Sequence, residues 1–294
     1  MVLQRNDLAT LNTDVLGASI RSGMTVGQLE RALLEAFPAK DAMAWDRTGM
    51  LCGDPSAEVK CVAVALDANL EAVVRAGEMG ANVLLTHHPA FLEAPGSFRP
   101  PQSGFHSVGS VVWEAISRGV ALLNYHTALD VSIEASTVLP SMLGLEYVGV
   151  LDAIDEASTK GYGQRCSVVQ QDEPLRLSQL AARCTSVFGR IPRVWGNGDT
   201  RLESIVTCTG SASDLPTLCL ASSVDCLVCG EVRYHSALDA SGAGLCIVEL
   251  GHDVSELPLC AVLAKSAEAA GVPEDRIKIL DQGRNWWTPE ATRR

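Results

Sequence analysis

The sequence contains no long apolar run. No apolar stretch of the 294-residue chain reaches the roughly 20 residues that a membrane-spanning helix needs. The first segment, MVLQRNDLATLNTDVL, also lacks the apolar core of a signal peptide. We therefore expect no membrane insertion and a cytoplasmic protein.

Positive charge is scarce as well. The chain has 23 Lys and Arg residues against 35 Asp and Glu residues, which gives a formal charge of −12 at pH 7. Such a surface repels nucleic acid and anionic membranes unless a basic patch exists, and the sequence contains no cluster of Lys or Arg that would form one. A small-molecule ligand or a protein partner is expected instead of nucleic acid.

The sequence also lacks a recognisable serine or cysteine nucleophile motif. Its ten cysteines are expected to be reduced in the cytoplasm and to serve as small buried residues. Cys226 and Cys229 form a C-x-x-C pair, but they lie in a run that is typical of a buried strand. Because residues three apart in a strand point to opposite faces, this pattern favours core packing over a metal or redox pair, which stays the alternative.

Alternating strands and helices dominate what is present. Residues 25–38 predict an amphipathic helix with Thr25 as its N-cap and Gln28 completing a capping box, and residues 45–55 predict a loop. In each half of the chain, a strand–helix–strand–helix–strand pattern ends in His-x-x-x-acid. This pattern predicts an α/β fold of two similar lobes. The expected first lobe comprises residues 1–125 with 248–294, and the second comprises residues 126–247.

Polar side chains concentrate where the predicted strands end. In α/β sheets, ligands bind beyond the carboxyl ends of the strands. Five of the six histidines follow such ends or the helices beside them, and only His106 lies elsewhere. The candidate site residues are His87, His88, His126, Asp130, Glu231, His235, His252 and Glu256.

Imidazole and carboxylate together suit zinc, manganese, iron or nickel. His87 and His88 leave one strand in diverging directions, so two ions could take one histidine each more easily than a single ion could take both. A helical turn would place His252 and Glu256 on one face. This arrangement predicts a site for two divalent ions. For a single histidine, above all His126 or His235, a structural hydrogen-bonding role is the alternative.

The expected charge of this site points to its substrate. With neutral histidines, Asp130 and Glu256 contribute two negative charges, and two divalent ions would leave a surplus of about two positive charges. An anionic, phosphate-bearing small molecule is therefore expected.

Five segments, in order, resemble the GTP cyclohydrolase I type 2 homologues, also called Nif-three-like proteins, a family with a dinuclear metal centre. The resemblance implies that the metal ligands are His87, His88, Asp130, His252 and Glu256. It also implies that the metal pair lies between the two lobes and that the protein forms a ring-shaped homohexamer. The segments are WDRTGMLCGD, VALDANLEAVVRAGEMGANVLLTHHP, NYHTALD, DCLVCGEVRYHSA and GHDVSE.

The family's activity implies a metal-dependent hydrolase that acts on a nucleotide or another phosphorylated small molecule. His126, Glu231 and His235 are the candidates for proton transfer or for support of the metal ligands. The alternative is a non-catalytic protein that binds or handles metal, or that acts in an assembly. The proline-rich segment 90–105 departs from the family pattern.

Overall fold

The computed structural model describes residues 23–102, 107–168, 174–212, 214–283 and 285–286. Residues 1–22 and 287–294 of the expected first lobe, and His106, lie outside these ranges. The strands are β1 (Gly49–Cys52), β2 (Val62–Ala65), β3 (Val83–Thr86), β4 (Ala121–Asn124), β5 (Glu146–Ala153), β6 (Gly161–Ser167), β7 (Arg193–Trp195), β8 (Ser204–Ser211), β9 (Cys226–Glu231), β10 (Cys246–Glu249) and β11 (Ile277–Ile279).

Helices connect most of these strands. They are α1 (Val26–Ala36), α2 (Leu70–Glu78), α3 (Val108–Arg118), α4 (Thr127–Asp130), α5 (Ile133–Ser136), α6 (Val138–Met142), α7 (Leu177–Phe188), α8 (Leu215–Ala221), α9 (Tyr234–Gly242), α10 (His252–Glu256) and α11 (Leu259–Ala269), with 3₁₀ turns at Ala39–Asp41 and Glu274–Arg276. Within the described ranges, no helix is long and apolar enough to span a bilayer.

Two sheets and the helices that connect their strands make up the molecule, and the predicted α/β class is confirmed. The first has the order β1-β4-β3-β2-β11, and its strands are parallel except β1. The second has the order β5-β6-β8-β9-β10-β7, with β8, β9 and β10 parallel and the remaining pairs antiparallel. The order of elements is the same in both halves, since β2-α2-β3-α3-β4-α4 corresponds to β8-α8-β9-α9-β10-α10.

The chain passes between the sheets near two short helices. Ala128, Leu129 and Ala135 pack into the core of the first sheet, whereas Leu139 packs into the core of the second. On the return, Val254 of α10 packs against the second sheet and Leu259 of α11 against the first. These crossings lie about ten residues beyond the expected lobe boundaries at 126 and 248, and the division into two domains stays a prediction.

Local predictions can be compared with the elements directly. The capping box of Thr25 and Gln28 at the start of α1 is confirmed. The loop predicted at residues 45–55 is wrong in part, because Gly49–Cys52 forms β1 at the sheet edge, paired antiparallel with β4. A short edge strand between two positive-φ glycines, Gly49 and Gly53, has no alternating pattern that would distinguish it from a loop.

Cys226 and Cys229 point to opposite faces of a buried strand, as predicted. Cys226 and Cys229 are fully buried in β9, where Cys226 packs into the core on one face of the second sheet and Cys229 into the core on the other. Burial raises the pKa of both thiols. All ten cysteines of the chain are free, and this pair therefore serves packing.

Candidate metal centre

The predicted metal ligands come together from both sheets. His87 and His88 directly follow β3, and their amides donate to the carbonyls of Ala65 and Leu66 beside it. Asp130 is the last residue of α4, the helix that follows β4 in the chain. His252 and Glu256 are the first and last residues of α10, the helix that follows β10. We call the five residues His87, His88, Asp130, His252 and Glu256 the ligand cluster.

Glu256 occupies the centre of this cluster. Its Oε1 lies 3.5 Å from His87 Nε2, while its Oε2 lies 3.0 Å from His88 Nε2 and 3.1 Å from His252 Nε2. Asp130 Oδ1 is 3.6 Å from His87 Nε2. Two groups of donor atoms therefore share one carboxylate, namely His87, Asp130 and Glu256 on one side and His88, His252 and Glu256 on the other, each within 4.8 Å.

Several buried nitrogen and oxygen atoms of the ligand cluster have no hydrogen-bond partner among the described residues. His87 is fully buried, and neither of its ring nitrogens has a hydrogen-bond partner among the described residues. Glu256 is only 3% exposed, and its Oε2 has none either, although two imidazoles approach it. Orphaned buried polar atoms are costly. Converging nitrogen and oxygen donors of this kind fit divalent transition metals.

Carboxylates that the sequence analysis did not single out orient two of the histidines. Asp67 Oδ1 lies 2.8 Å from His88 Nδ1, and Asp46 Oδ1 lies 3.0 Å from His126 Nδ1. Such contacts leave the other ring nitrogen, Nε2, free to bind a metal or a proton. Asp67 lies just beyond the end of β2, after Leu66, so the strand-end argument could have found it. Asp46 lies in the segment before β1, where no pattern marks it.

His126 lies at the edge of the ligand cluster. A third group of donor atoms within 4.8 Å consists of His87, His88 and His126. Asp46, whose side chain is fully buried, also accepts from the backbone amide and hydroxyl of Thr127. Burial would raise the pKa of Asp46, but the contacts with His126 and Thr127 outweigh it and lower the pKa to about 2.

The other two candidates for support or proton transfer differ in position. Glu231 Oε1 lies 3.1 Å from His252 Nδ1, so it holds that ring from outside the cluster. His235 is exposed on α9, where its ring contacts Tyr234. None of the donor groups found among the described residues includes His235, and its proposed role stays a prediction without a supporting contact.

The carboxylates strongly perturb the titration of the histidines. Burial would lower the pKa of His88, but Asp67 and Glu256 outweigh it and raise the pKa to about 10. For His252, Glu256 is the largest cause of a pKa raised to about 9. Burial would raise the pKa of Glu256, yet the neighbouring histidines hold it well below its usual range. Without metal, the cluster therefore holds protons at neutral pH.

Two cavities flank the cluster. The first, of about 370 Å³, is lined by Glu256, His252, Asp130 and His126 on one side, and we call it the metal-proximal cavity. The second, of about 380 Å³, lies against His88, His252 and Asp67. Because both contact ligand side chains, small molecules can reach the cluster from two directions.

Comparison with known proteins identifies the family of this chain. The model of the family Duf34/NIF3 (NGG1p interacting factor 3) matches residues 24–280. The chain belongs to the NIF3 family. A relative from Streptomyces coelicolor, named GTP cyclohydrolase 1 type 2 homolog, is 31% identical over 239 residues, which cover 78% of this chain and 80% of that protein. A Clostridium acetobutylicum protein of the same name is 26% identical over 229 residues, covering 77% and 83%.

Solved structures show the NIF3 fold. A hypothetical protein of Staphylococcus aureus matches with a TM-score of 0.78 and 22% identity, and the match covers 90% of this chain and 99% of that one. The match includes both sheets, since it spans nearly the whole described chain. The resemblance to this family inferred from the five segments is thus confirmed.

Proposed function

We propose that this NIF3-family protein binds two divalent ions in the ligand cluster and hydrolyses a small molecule beside them. The observation that supports it best is the central carboxylate of Glu256, whose two oxygens face different sets of histidines. One ion would be held by His87, Asp130 and Glu256, and the other by His88, His252 and Glu256. Zinc, iron, manganese and nickel all accept these ligands.

Paired ions of this kind activate a water molecule and polarise the group that it attacks. The protein supplies the surroundings. Asp67 and Glu231 hold the outer nitrogens of His88 and His252, which fixes the orientation of both rings. The metal-proximal cavity supplies space for a substrate next to His126 and Glu256.

His126 is the proposed proton-transfer residue. Asp46 binds its Nδ1, so the neutral ring carries its proton there and presents Nε2 as an acceptor. The ring lines the metal-proximal cavity and lies near His87 and His88. It can accept a proton from the attacking water and return it to the leaving group.

Metal content and turnover test this function together. Elemental analysis should find up to two ions per chain in gently purified protein, and Glu256→Gln should hold fewer than one. Glu268→Gln, on the exposed face of α11, is the matched control and should keep the wild-type content. Normal metal content in Glu256→Gln would contradict the site.

Hydrolysis is tested by incubating metal-loaded protein with a metabolite pool, with His87→Ala/His88→Ala as control. We expect at least one compound to be consumed by the wild type alone. If fully loaded protein consumes none, the hydrolase proposal fails, and the non-catalytic metal-handling function takes its place.

A further inference from the structure

The structure changes the charge balance that the sequence predicted for this site. Three carboxylates beyond the ligands contact its imidazoles: Asp46 on His126, Asp67 on His88 and Glu231 on His252. Two divalent ions would bring four positive charges, whereas these three carboxylates and the two of the ligand cluster bring five negative ones. The surplus of positive charge that would attract a phosphate is cancelled by the protein itself.

The walls of the metal-proximal cavity add further negative charge. Asp152 of β5 and Asp214 before α8 line it, and none of the described residues that line either cavity is Lys or Arg. Both aspartates are exposed, so solvent screens them in part. A polyphosphate in this cavity would still face carboxylates, with no basic side chain among the described lining residues to neutralise it.

The remaining walls suit an uncharged body with hydrogen-bonding groups. Leu215, Leu218 and Met43 supply apolar surface. Tyr162 of β6 lies opposite Asp152 in the strand register and lines the cavity beside Thr127. Its hydroxyl can donate or accept a hydrogen bond with a polar atom of a ligand.

We infer that the metal-proximal cavity selects a substrate that carries amide or amine N–H groups and no phosphate. The aspartates accept hydrogen bonds from the N–H groups, the Tyr162 hydroxyl binds a polar atom of the same molecule, and the apolar wall packs against its body. This inference rests on the proposed function for the identity of the site, but it concerns binding and can be measured without turnover.

The first test compares ligands that share one nucleoside and differ only in their phosphate charge. Guanosine, guanosine monophosphate and guanosine triphosphate share a base with amide and amine N–H groups and differ in phosphate charge. Calorimetric titration of the metal-loaded protein should show guanosine binding at least about tenfold more tightly than the triphosphate, a difference of about 1.4 kcal/mol. Affinity that rises with each phosphate, or no binding of guanosine, would overturn the inference.

Variants then test the cavity walls. Tyr162→Phe should weaken guanosine binding about tenfold, since it removes only the hydroxyl, whereas the matched control Tyr147→Phe on neighbouring β5 should not. Asp152→Asn/Asp214→Asn should tighten the binding of inorganic phosphate about fivefold, and Asp239→Asn on the exposed face of α9 should leave it unchanged. Equal phosphate affinity in the double variant and the wild type would refute the electrostatic argument.

Failure of this inference is distinguishable from failure of the proposed function. A protein that prefers guanosine but hydrolyses nothing keeps the cavity assignment and loses only the catalytic role. A protein that hydrolyses a phosphorylated compound and binds the triphosphate most tightly keeps the catalytic role and loses the substrate class.

Discussion

Metal binding should be strongly coupled to pH. The pKa of His88 is raised to about 10 and that of His252 to about 9, so both rings are protonated at pH 7 in the absence of metal. A metal needs the lone pair of each Nε2 and must displace these protons. The ion that binds His88 and His252 should therefore release about two protons. Its affinity should rise about 100-fold per pH unit up to pH 9, and about tenfold per unit from there to pH 10.

Calorimetry measures this coupling directly. Titration of zinc into metal-free protein, in buffers of differing ionisation enthalpy, gives the number of protons released at each pH. Asp67→Asn should lower that number, because it removes one cause of the raised pKa of His88, and His235→Ala should leave it unchanged. An affinity that is independent of pH between about 6.5 and 8.5 would refute the reasoning from the two perturbed histidines.

The same pKa shifts make the metal-free protein less stable as pH rises, whereas they make metal binding stronger. A histidine whose folded pKa is raised stabilises the fold fully below its unfolded value of about 6.5, and this contribution is lost as pH rises through the folded pKa. The metal-free protein should therefore lose thermal stability as pH rises through about 9 and 10. Added zinc should reverse this trend.

Three further predictions concern the backbone, the thiols and the assembly. Gly210→Ala should lower metal content and destabilise the fold by about 1–3 kcal/mol, because Gly210 has a φ of +58° and a Cβ there would lie 2.2 Å from Glu256 Oε1. Gly242→Ala, whose added Cβ meets nothing within 4 Å, should leave the metal content unchanged and should not lower the melting temperature. Chelation should leave Cys226 and Cys229 unlabelled by thiol reagents, while half-buried Cys52 and Cys61 react first; rapid labelling of the buried pair would identify them as ligands. Light scattering should give a homohexamer, and a monomer at micromolar concentration with metal present would contradict that expectation.

Much of the site could be located from sequence because its residues follow strands. His87 and His88 end a buried apolar run, and the spacing of His252 and Glu256 matches one helical turn. Parallel strands bring such ends to one edge of a sheet, so the clustering follows from the fold class. The perturbed protonation state could not be predicted in this way, since it depends on carboxylates that reach the rings from elsewhere in the chain.

Elements at the margins of the sheets were harder to predict. β1 and β11 are edge strands of four and three residues, which is too short for alternation to distinguish them from loops. β7 pairs only with β10 at the far edge of the second sheet. The position of Asp46 depends on how the segment before β1 packs against α4. Contacts of this kind arise from tertiary packing and leave no periodic signal.

The shared carboxylate of Glu256 also constrains when the site can form during synthesis. His87 and His88 leave the ribosome long before α10, and more than half of the chain separates them from Glu256. The first half of the chain contains neither His252 nor Glu256, so the proposed two-ion site cannot be completed until α10 has emerged and packed beside His87 and His88. Completion of the proposed two-ion site would thus be a late event in biogenesis, and a truncated nascent chain would present His87 and His88 without their shared acid.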